Sequence, residues 1–410
     1  MFSLDKFYNI IHHNLIAPLH YTGRSLYFYP FGTYQSKMIL HQQFESTSNL
    51  PRHLEIQADK GFVHCYFFDQ EPVYEHTLPI IDDALFILSE TSKYFPRNIA
   101  IFANSERSDI KDRYLKENNL RDWYYFFHGF AALHWYRDFQ YVNSSSFNRF
   151  NKVFMCYNHL ISKYRSYRLH LGSNLISRDL VKHGSVSLFL EDADGTWQDA
   201  VNDEHCPLDP RARQQIINTL SNVTEPLIAD TAEPNGTLSA NLNLDLLSDA
   251  FFHVVTETVY FLPKLHLTEK IFKPIVARRP FILVAAPGNL AYLKSYGFRT
   301  FDRWIDESYD SEPDHYIRIE KITNEIEKLC KLSKTELDAM YADMQDTLEY
   351  NHQHFYKEFK RIIVNEMVDN LEGILIQFNN GRQPNNHSRY HRRFEYEPGY
   401  TDKVKQLLLE

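Results

Sequence analysis

Ala250-Phe-Phe-His-Val-Val255, Leu267-Thr-Glu-Lys-Ile-Phe-Lys-Pro-Ile275 and Arg279-Pro-Phe-Ile-Leu-Val284, closed by Pro287-Gly288, form the stretch whose reading decides the fold. The first and third runs are short, apolar and rich in β-branched and aromatic residues, which reads as buried strand. Between them Thr268 is an N-cap residue, so residues 268–277 read as a helix. A second helix is expected over residues 289–295, ending at Gly297. Two successive strand–helix units require a parallel sheet, because parallel strands are joined by crossover helices.

Outward from this stretch the same alternation recurs. Lys152-Val-Phe-Met-Cys-Tyr157 reads as a first strand, the helix after it carries Tyr164, Arg165, Tyr167 and Arg168, and Ser185-Val-Ser-Leu-Phe-Leu190 reads as the next strand. Asp209-Pro210 marks a further helix start, capped by Asp with Pro at the first helical position. Towards the N-terminus, Ser25-Leu-Tyr-Phe-Tyr-Pro30, Phe62-Val-His-Cys-Tyr-Phe-Phe68 and Asn98-Ile-Ala-Ile-Phe-Ala103 read as strands, with a helix over residues 108–118. The expected fold class is therefore α/β, with two Rossmann-like domains and C-terminal helices. The small polar run Asn143-Ser-Ser-Ser146 sets the boundary. An N-terminal domain spans 1–147 and a second domain 148–345, followed by a helix over 346–378 packing across the domains and a polar, basic tail over 379–410. Ile322, Ile326 and Leu329 share a helix face, Ser333-Lys-Thr-Glu336 has capping-box spacing, and Phe355, Phe359, Ile362, Ile363 and Met367 make a second apolar stripe. These stripes read as core.

Composition agrees. A chain of 410 residues exceeds what one core usually supports. Its 43% apolar and 15% aromatic content is that of packed structure rather than disorder. A net charge of -9 repels polyanions on average, so nucleic-acid contact would need a local basic patch. Cys65, Cys156, Cys206 and Cys330 form no C-x-x-C pair, which argues against a zinc site or a disulfide framework. No basic segment leads into an apolar run near Met1, and no uninterrupted apolar stretch reaches the ~18 residues of a membrane span. A reduced, cytoplasmic setting is expected.

The chemistry concentrates where the fold was read. Thr268-Glu269-Lys270 opens a helix that a loop separates from a strand ending near Glu257. A helix N-terminus offers unpaired amides and partial positive charge to a diphosphate, Lys270 adds a full charge, and Glu269 accepts hydrogen bonds from sugar hydroxyls. The same triplet also reads as no more than a well-capped helix start. At these residues the chain resembles the α1,3-fucosyltransferases and related GT-B glycosyltransferases, over residues 150–310 and most closely over 257–288. The resemblance implies that Glu269 and Lys270 grip the sugar and phosphates of a nucleotide-sugar donor, that Glu257 lines the same cleft, and that the reaction inverts the anomeric centre. Ile271-Phe-Lys-Pro274 departs from the fucosyltransferase pattern, so fucose is not implied.

Asn158 ends the first strand of the second domain, and ligands of open α/β sheets bind beyond the carboxyl ends of the strands. Arg165 and Arg168, one helical turn apart, read either as guanidinium forks for phosphate or as a solvated basic face. In the N-terminal domain Phe68-Asp-Gln-Glu71-Pro72 follows an apolar strand. Glu71, with Asp69 behind it, is the candidate general base for an acceptor hydroxyl, or else an acidic turn before proline. Asp192-Ala-Asp194 spells D-x-D but is followed by Gly195 and reads as a loop, so no metal ligand is assigned. Asp302, Asp306, Glu307 and Asp310 read as a solvated acidic loop. Arg382, Arg389, Arg392 and Arg393 with Tyr390, His391 and Phe394 read as a solvated terminus or as a nucleic-acid contact.

The reading is a nucleotide-sugar glycosyltransferase, inverting and metal-independent, with no cofactor beyond its donor and with a glycan or other hydroxyl acceptor. Two alternatives stay open: a DNA-modifying glycosyltransferase acting on a hydroxylated base, and a non-catalytic nucleotide- or glycan-binding module.

Overall fold

The computed structural model describes residues 24–29, 37–40, 43–46, 63–68, 72, 99–118, 120–142, 150–230, 240–380 and 400–410. The chain forms two compact units, Met1–His134 with Lys360–Glu410, and Trp135–Phe359.

In the first unit β1 (Arg24–Tyr29), β2 (Lys37–Leu40), β3 (Gln43–Ser46), β4 (Val63–Phe68), β5 (Ile99–Asn104) and β6 (Arg121–Tyr124) form one sheet in the order β3-β2-β1-β4-β5-β6. β1, β4, β5 and β6 are mutually parallel, with Leu26 opposite Cys65, Phe67 opposite Phe102 and Ala103 opposite Trp123. β2 and β3 extend the sheet antiparallel. Between β5 and β6 runs α1 (Asp109–Glu117), whose start is capped by Ser108 accepting from the Lys111 amide. α2 (Phe127–Trp135) follows β6 and is buried over nearly its whole length.

The second unit is a four-stranded parallel sheet. β7 (Lys152–Asn158) is followed by α3 (Tyr167–Ser177) and β8 (Gly184–Leu188), then by a hairpin of β9 (Glu191–Asp192) and β10 (Gly195–Thr196). α4 (Trp197–Asn202), α5 (Pro210–Leu220) and α6 (Leu244–Ser248) lead to β11 (Ala250–Thr256), α7 (Phe272–Val276), β12 (Phe281–Val284) and α8 (Asn289–Ser295). The sheet order is β12-β11-β7-β8. All seven residues of β11 and all four of β12 are buried, the signature of parallel strands covered on both faces.

Three helices complete this unit. α9 (His315–Cys330) buries Ile319, Ile322, Ile326 and Leu329, α10 (Lys334–Asp343) begins with the expected Ser333/Glu336 capping box, and α11 (Gln345–His354) runs into a π-helical turn, Phe355–Phe359. Phe355, Phe359, Ile363 and Met367 are fully buried as the stripe predicts, while Ile362 is only partly so. The π turn rephases the helix, and Val364, Val368 and Leu371 carry the apolar face onward.

The last two helices, α12 (Lys360–Asn380) and α13 (Tyr400–Leu409), belong to the first unit. Trp123 Nε1 donates to the Met367 carbonyl at 3.0 Å, Asn370 Nδ2 to the Tyr124 carbonyl at 2.9 Å, and Lys360 Nζ to the Leu409 carbonyl at 2.8 Å. α13 lies inside the stretch expected as a polar tail. Its Val404 and Leu408 are buried, because an amphipathic turn with an apolar face packs wherever a partner is offered. Residues 382–394 lie outside the described residues. Among the described residues no helix is long and apolar enough to cross a membrane.

Candidate functional site

After β7 the chain passes to β8 on one side of the sheet, and after β11 it passes to β12 on the other. The carboxyl ends of β7 and β11, neighbours in the sheet, therefore flank a topological switch point, the position where open α/β sheets bind ligands. Asn158 and Thr256 are the two last strand residues there.

Most of the polar side chains predicted for the site are turned onto the protein itself. Thr256 Oγ1 donates to Asn158 Oδ1 at 2.8 Å, and Asn158 Nδ2 donates to Cys156 Sγ at 3.2 Å. Arg168 is buried, and its guanidinium donates to the carbonyls of Leu160 at 2.9 Å and Thr256 at 3.1 Å. The Tyr167 hydroxyl donates to the Glu257 carbonyl at 2.5 Å while its ring stacks on Tyr260 at 4.3 Å. The two arginines do not share a helix as expected. Arg165 closes a 3-10 turn, Lys163–Arg165, and α3 begins only at Tyr167. Arg168 clamps the ends of β7 and β11 together, and Arg165 stays partly exposed.

The Glu257 carboxylate is fully buried and accepts from both the Thr268 amide (3.2 Å) and the Thr268 hydroxyl (2.5 Å). Burial pushes its carboxyl above the ordinary range, and the Lys270 ammonium pulls it back. Thr268 in turn caps Lys270. The helix expected over 268–277 is a 3-10 turn, Glu269–Ile271, running into the five residues of α7. Pro274, which lacks an amide, keeps it short. So short an element has a weak dipole, which leaves side-chain charge as the main source of positive potential. Lys270 supplies it. Its side chain is 33% exposed, with Nζ 3.1 Å from Thr268 Oγ1 and 3.3 Å from Glu269 Oε1.

Two further groups, neither among the residues expected at the site, act on the same charges. Lys273 follows one turn after Lys270, and burial pulls its ammonium down to about 8, with Glu269 and Asp230 opposing and Lys270 adding to the fall. The Tyr136 phenol is buried and pushed well above its ordinary range, first by burial and then by Glu269 and Glu257. Lys273 was legible as a second cation at i+3 spacing; Tyr136 lies far away in sequence and gave no signal.

Both acidic motifs have structural partners. Asp192 accepts from the amides of Ile161 (2.7 Å), Ser162 (3.0 Å) and Asp194 (2.9 Å) and from Ser162 Oγ (2.7 Å), and Lys163 Nζ donates to Asp194 at 2.7 Å. D-x-D thus forms a hairpin that braces the loop after β7, where a plain loop was expected. The stretch 302–310 is not simply solvated either. Asp310 accepts from the Leu290 (3.0 Å) and Ala291 (3.2 Å) amides, and Glu307 from Thr300 Oγ1 and the Phe301 amide, both at 2.7 Å. Among the described residues no three His, Cys, Asp or Glu side chains come together to hold a metal ion. Asp69 and Glu71 lie outside the described residues.

No family model matches the sequence, and no curated protein matches it. Among solved structures the chain is similar to an α,α-trehalose 6-phosphate synthase from Burkholderia multivorans, at 11% identity over 93% of this chain and 84% of that one, with a TM-score of 0.36. A likeness this remote says nothing about substrate.

Proposed function

We propose that the protein is a glycosyltransferase that moves a sugar from a nucleoside-diphosphate donor to an acceptor hydroxyl, with inversion and without a metal. The observation that supports this most is Lys270, a partly exposed ammonium on a helix start locked to Glu257, beside the switch point of a parallel sheet.

In this reading Lys270, Lys273 and Arg165 face the diphosphate, and Glu269 accepts from donor hydroxyls. Asn158, Arg168, Glu257 and Thr268 are positioning residues that hold the strand ends and the helix start. As the acceptor oxygen bonds to the anomeric carbon, the bond from that carbon to the phosphate oxygen breaks, and negative charge grows on the leaving diphosphate. Preorganised cations stabilise that charge where it develops, the role a divalent ion has elsewhere. The acceptor proton passes to Glu71, or to Asp69, which follow β4 in the sequence.

The test is a thermal-shift panel of UDP-, GDP-, ADP-, CMP- and dTDP-sugars, since a ligand that binds only the folded chain raises its melting temperature. At least one donor is expected to raise it, followed by sugar transfer that persists in EDTA. No shift with any member would remove the donor reading. Turnover lost in chelator and restored by Mg²⁺ or Mn²⁺ would remove metal independence alone. With a donor identified, Glu71→Gln is expected to keep donor affinity and lower the catalytic rate about a hundredfold or more, the usual scale for a lost base.

A further inference from the structure

A second polar cluster stands at the same sheet edge and has no part in the reading above. His159 is the first residue after β7. Its Nε2 lies 3.0 Å from Asp230 Oδ1 and 2.9 Å from Oδ2. Asp230 also accepts from Ser187 Oγ on β8, and that hydroxyl accepts from the Ala229 amide at 2.9 Å. A pair of backbone bonds between Leu188 and Leu227 pins the segment that carries Asp230. The His159 ring packs against Phe189 with centroids 4.8 Å apart. A backbone amide thus sets a hydroxyl, the hydroxyl sets a carboxylate, and the carboxylate sets an imidazole.

The consequence is a defined tautomer. An ionised carboxylate only accepts, so Nε2 carries the proton, and in the neutral ring Nδ1 is left as an acceptor. Among the described residues Nδ1 has no hydrogen-bond partner. His159 and Asp230 keep 14% and 13% of their side-chain surface exposed. The cluster also adjoins the Lys270 region, because the Asp230 charge acts on the Lys273 ammonium.

We propose that His159, held by Asp230, contacts the donor, its Nδ1 accepting a hydrogen bond from a hydroxyl of the nucleotide-sugar. The proposal rests on the donor reading and extends it from the phosphates to the ribose or the transferred sugar; Asp230 and Ser187 are positioning residues.

Calorimetry on the full chain with UDP, UDP-glucose, GDP and GDP-fucose tests it. His159→Phe keeps an aromatic ring against Phe189 and removes the acceptor. It is expected to melt within a few degrees of the parent and to bind about tenfold more weakly, the scale of one hydrogen bond in a site. A loss already present with the bare diphosphate assigns the hydroxyl to the ribose, and a loss only with the conjugate assigns it to the sugar. In a Lys273→Met background, which removes the ammonium that the Asp230 charge also acts on, adding Asp230→Asn to His159→Phe is expected to weaken binding no further, because the remaining effect of Asp230 passes through the ring. His159→Leu serves if the phenylalanine variant does not fold. His159→Gln, which keeps an acceptor, is expected to lose less than either; an equal loss would make the role steric and overturn the hydrogen-bond assignment. If the ligands bind the parent and His159→Phe binds them equally well, this inference fails while the donor reading stands. If none of these four binds the parent, the donor identified by the thermal-shift panel replaces them, and only if no member of that panel binds does the donor reading fail and take this inference with it.

Discussion

Two helix starts one strand apart in the second unit have been treated in opposite ways. After β12 the chain turns at Gly288, whose φ of 84° lies in the left-handed region that favours glycine, and the first amides of α8 meet the Asp310 carboxylate. That helix start is sealed by the protein's own anion. After β11 the carboxylate of Glu257 is drawn beneath the next helix start, onto Thr268, and Lys270 stands above it partly exposed. A short strand–turn–helix sequence is therefore not a ligand site by itself. Both starts meet a carboxylate of the chain; what separates them is that the second also carries a partly exposed cation, Lys270.

The largest expected effect lies at the cationic start. Lys270→Ala is expected to weaken diphosphate binding about ten- to a hundredfold, the range of a charge-assisted hydrogen bond, while the melting temperature stays within a few degrees. Calorimetry showing unchanged affinity in a folded variant would erase the functional half of the comparison. Asp310→Ala should do the reverse. Removing a helix cap costs about 0.5–2 kcal/mol, which lowers the melting temperature by roughly 1–8 °C in a unit of this size, with donor affinity unchanged. A donor affinity that rose in Asp310→Ala would show that α8, too, accepts anions.

Smaller effects sharpen the contrast. Lys273 has its ammonium lowered from 10.5 to about 8 by burial. Between those values the unfolded chain binds more protons than the folded one, so stability is expected to rise with pH from 8 towards 10.5 and to be insensitive to Lys273 below 8. Diphosphate affinity runs the other way, falling about fivefold as pH rises from 7 to 9 and the charge is lost. Lys273→Met is expected to flatten both profiles in paired melting and calorimetric titrations, and a parent profile flat from pH 7 to 9 would take Lys273 out of the site. Arg165→Ala, at a partly exposed position screened by water, is expected to cost about threefold in diphosphate affinity. Equal affinity in that variant would restrict the site to the T-E-K side of the switch point.

The sequence by itself determined the elements and their kind. Apolar runs such as Phe281–Val284 and cap residues such as Thr268, Asp209 and Ser333 specify strands and helix starts through local periodicity and local hydrogen bonds, and neither depends on distant chain. It also placed Glu269 and Lys270 together, because adjacent residues stay adjacent. Only the tertiary structure decided which polar groups remain available to a ligand. Arg168, Asn158 and Glu257 could be named from the chain, but their partners at Thr256, Leu160 and Thr268 come from other elements. The same holds for His159 and Asp230, 71 residues apart, and for Asp310, which accepts from the first amides of α8. A buried hydrogen-bonding group must find a partner wherever the fold brings one, and that choice is made by packing rather than by position along the chain.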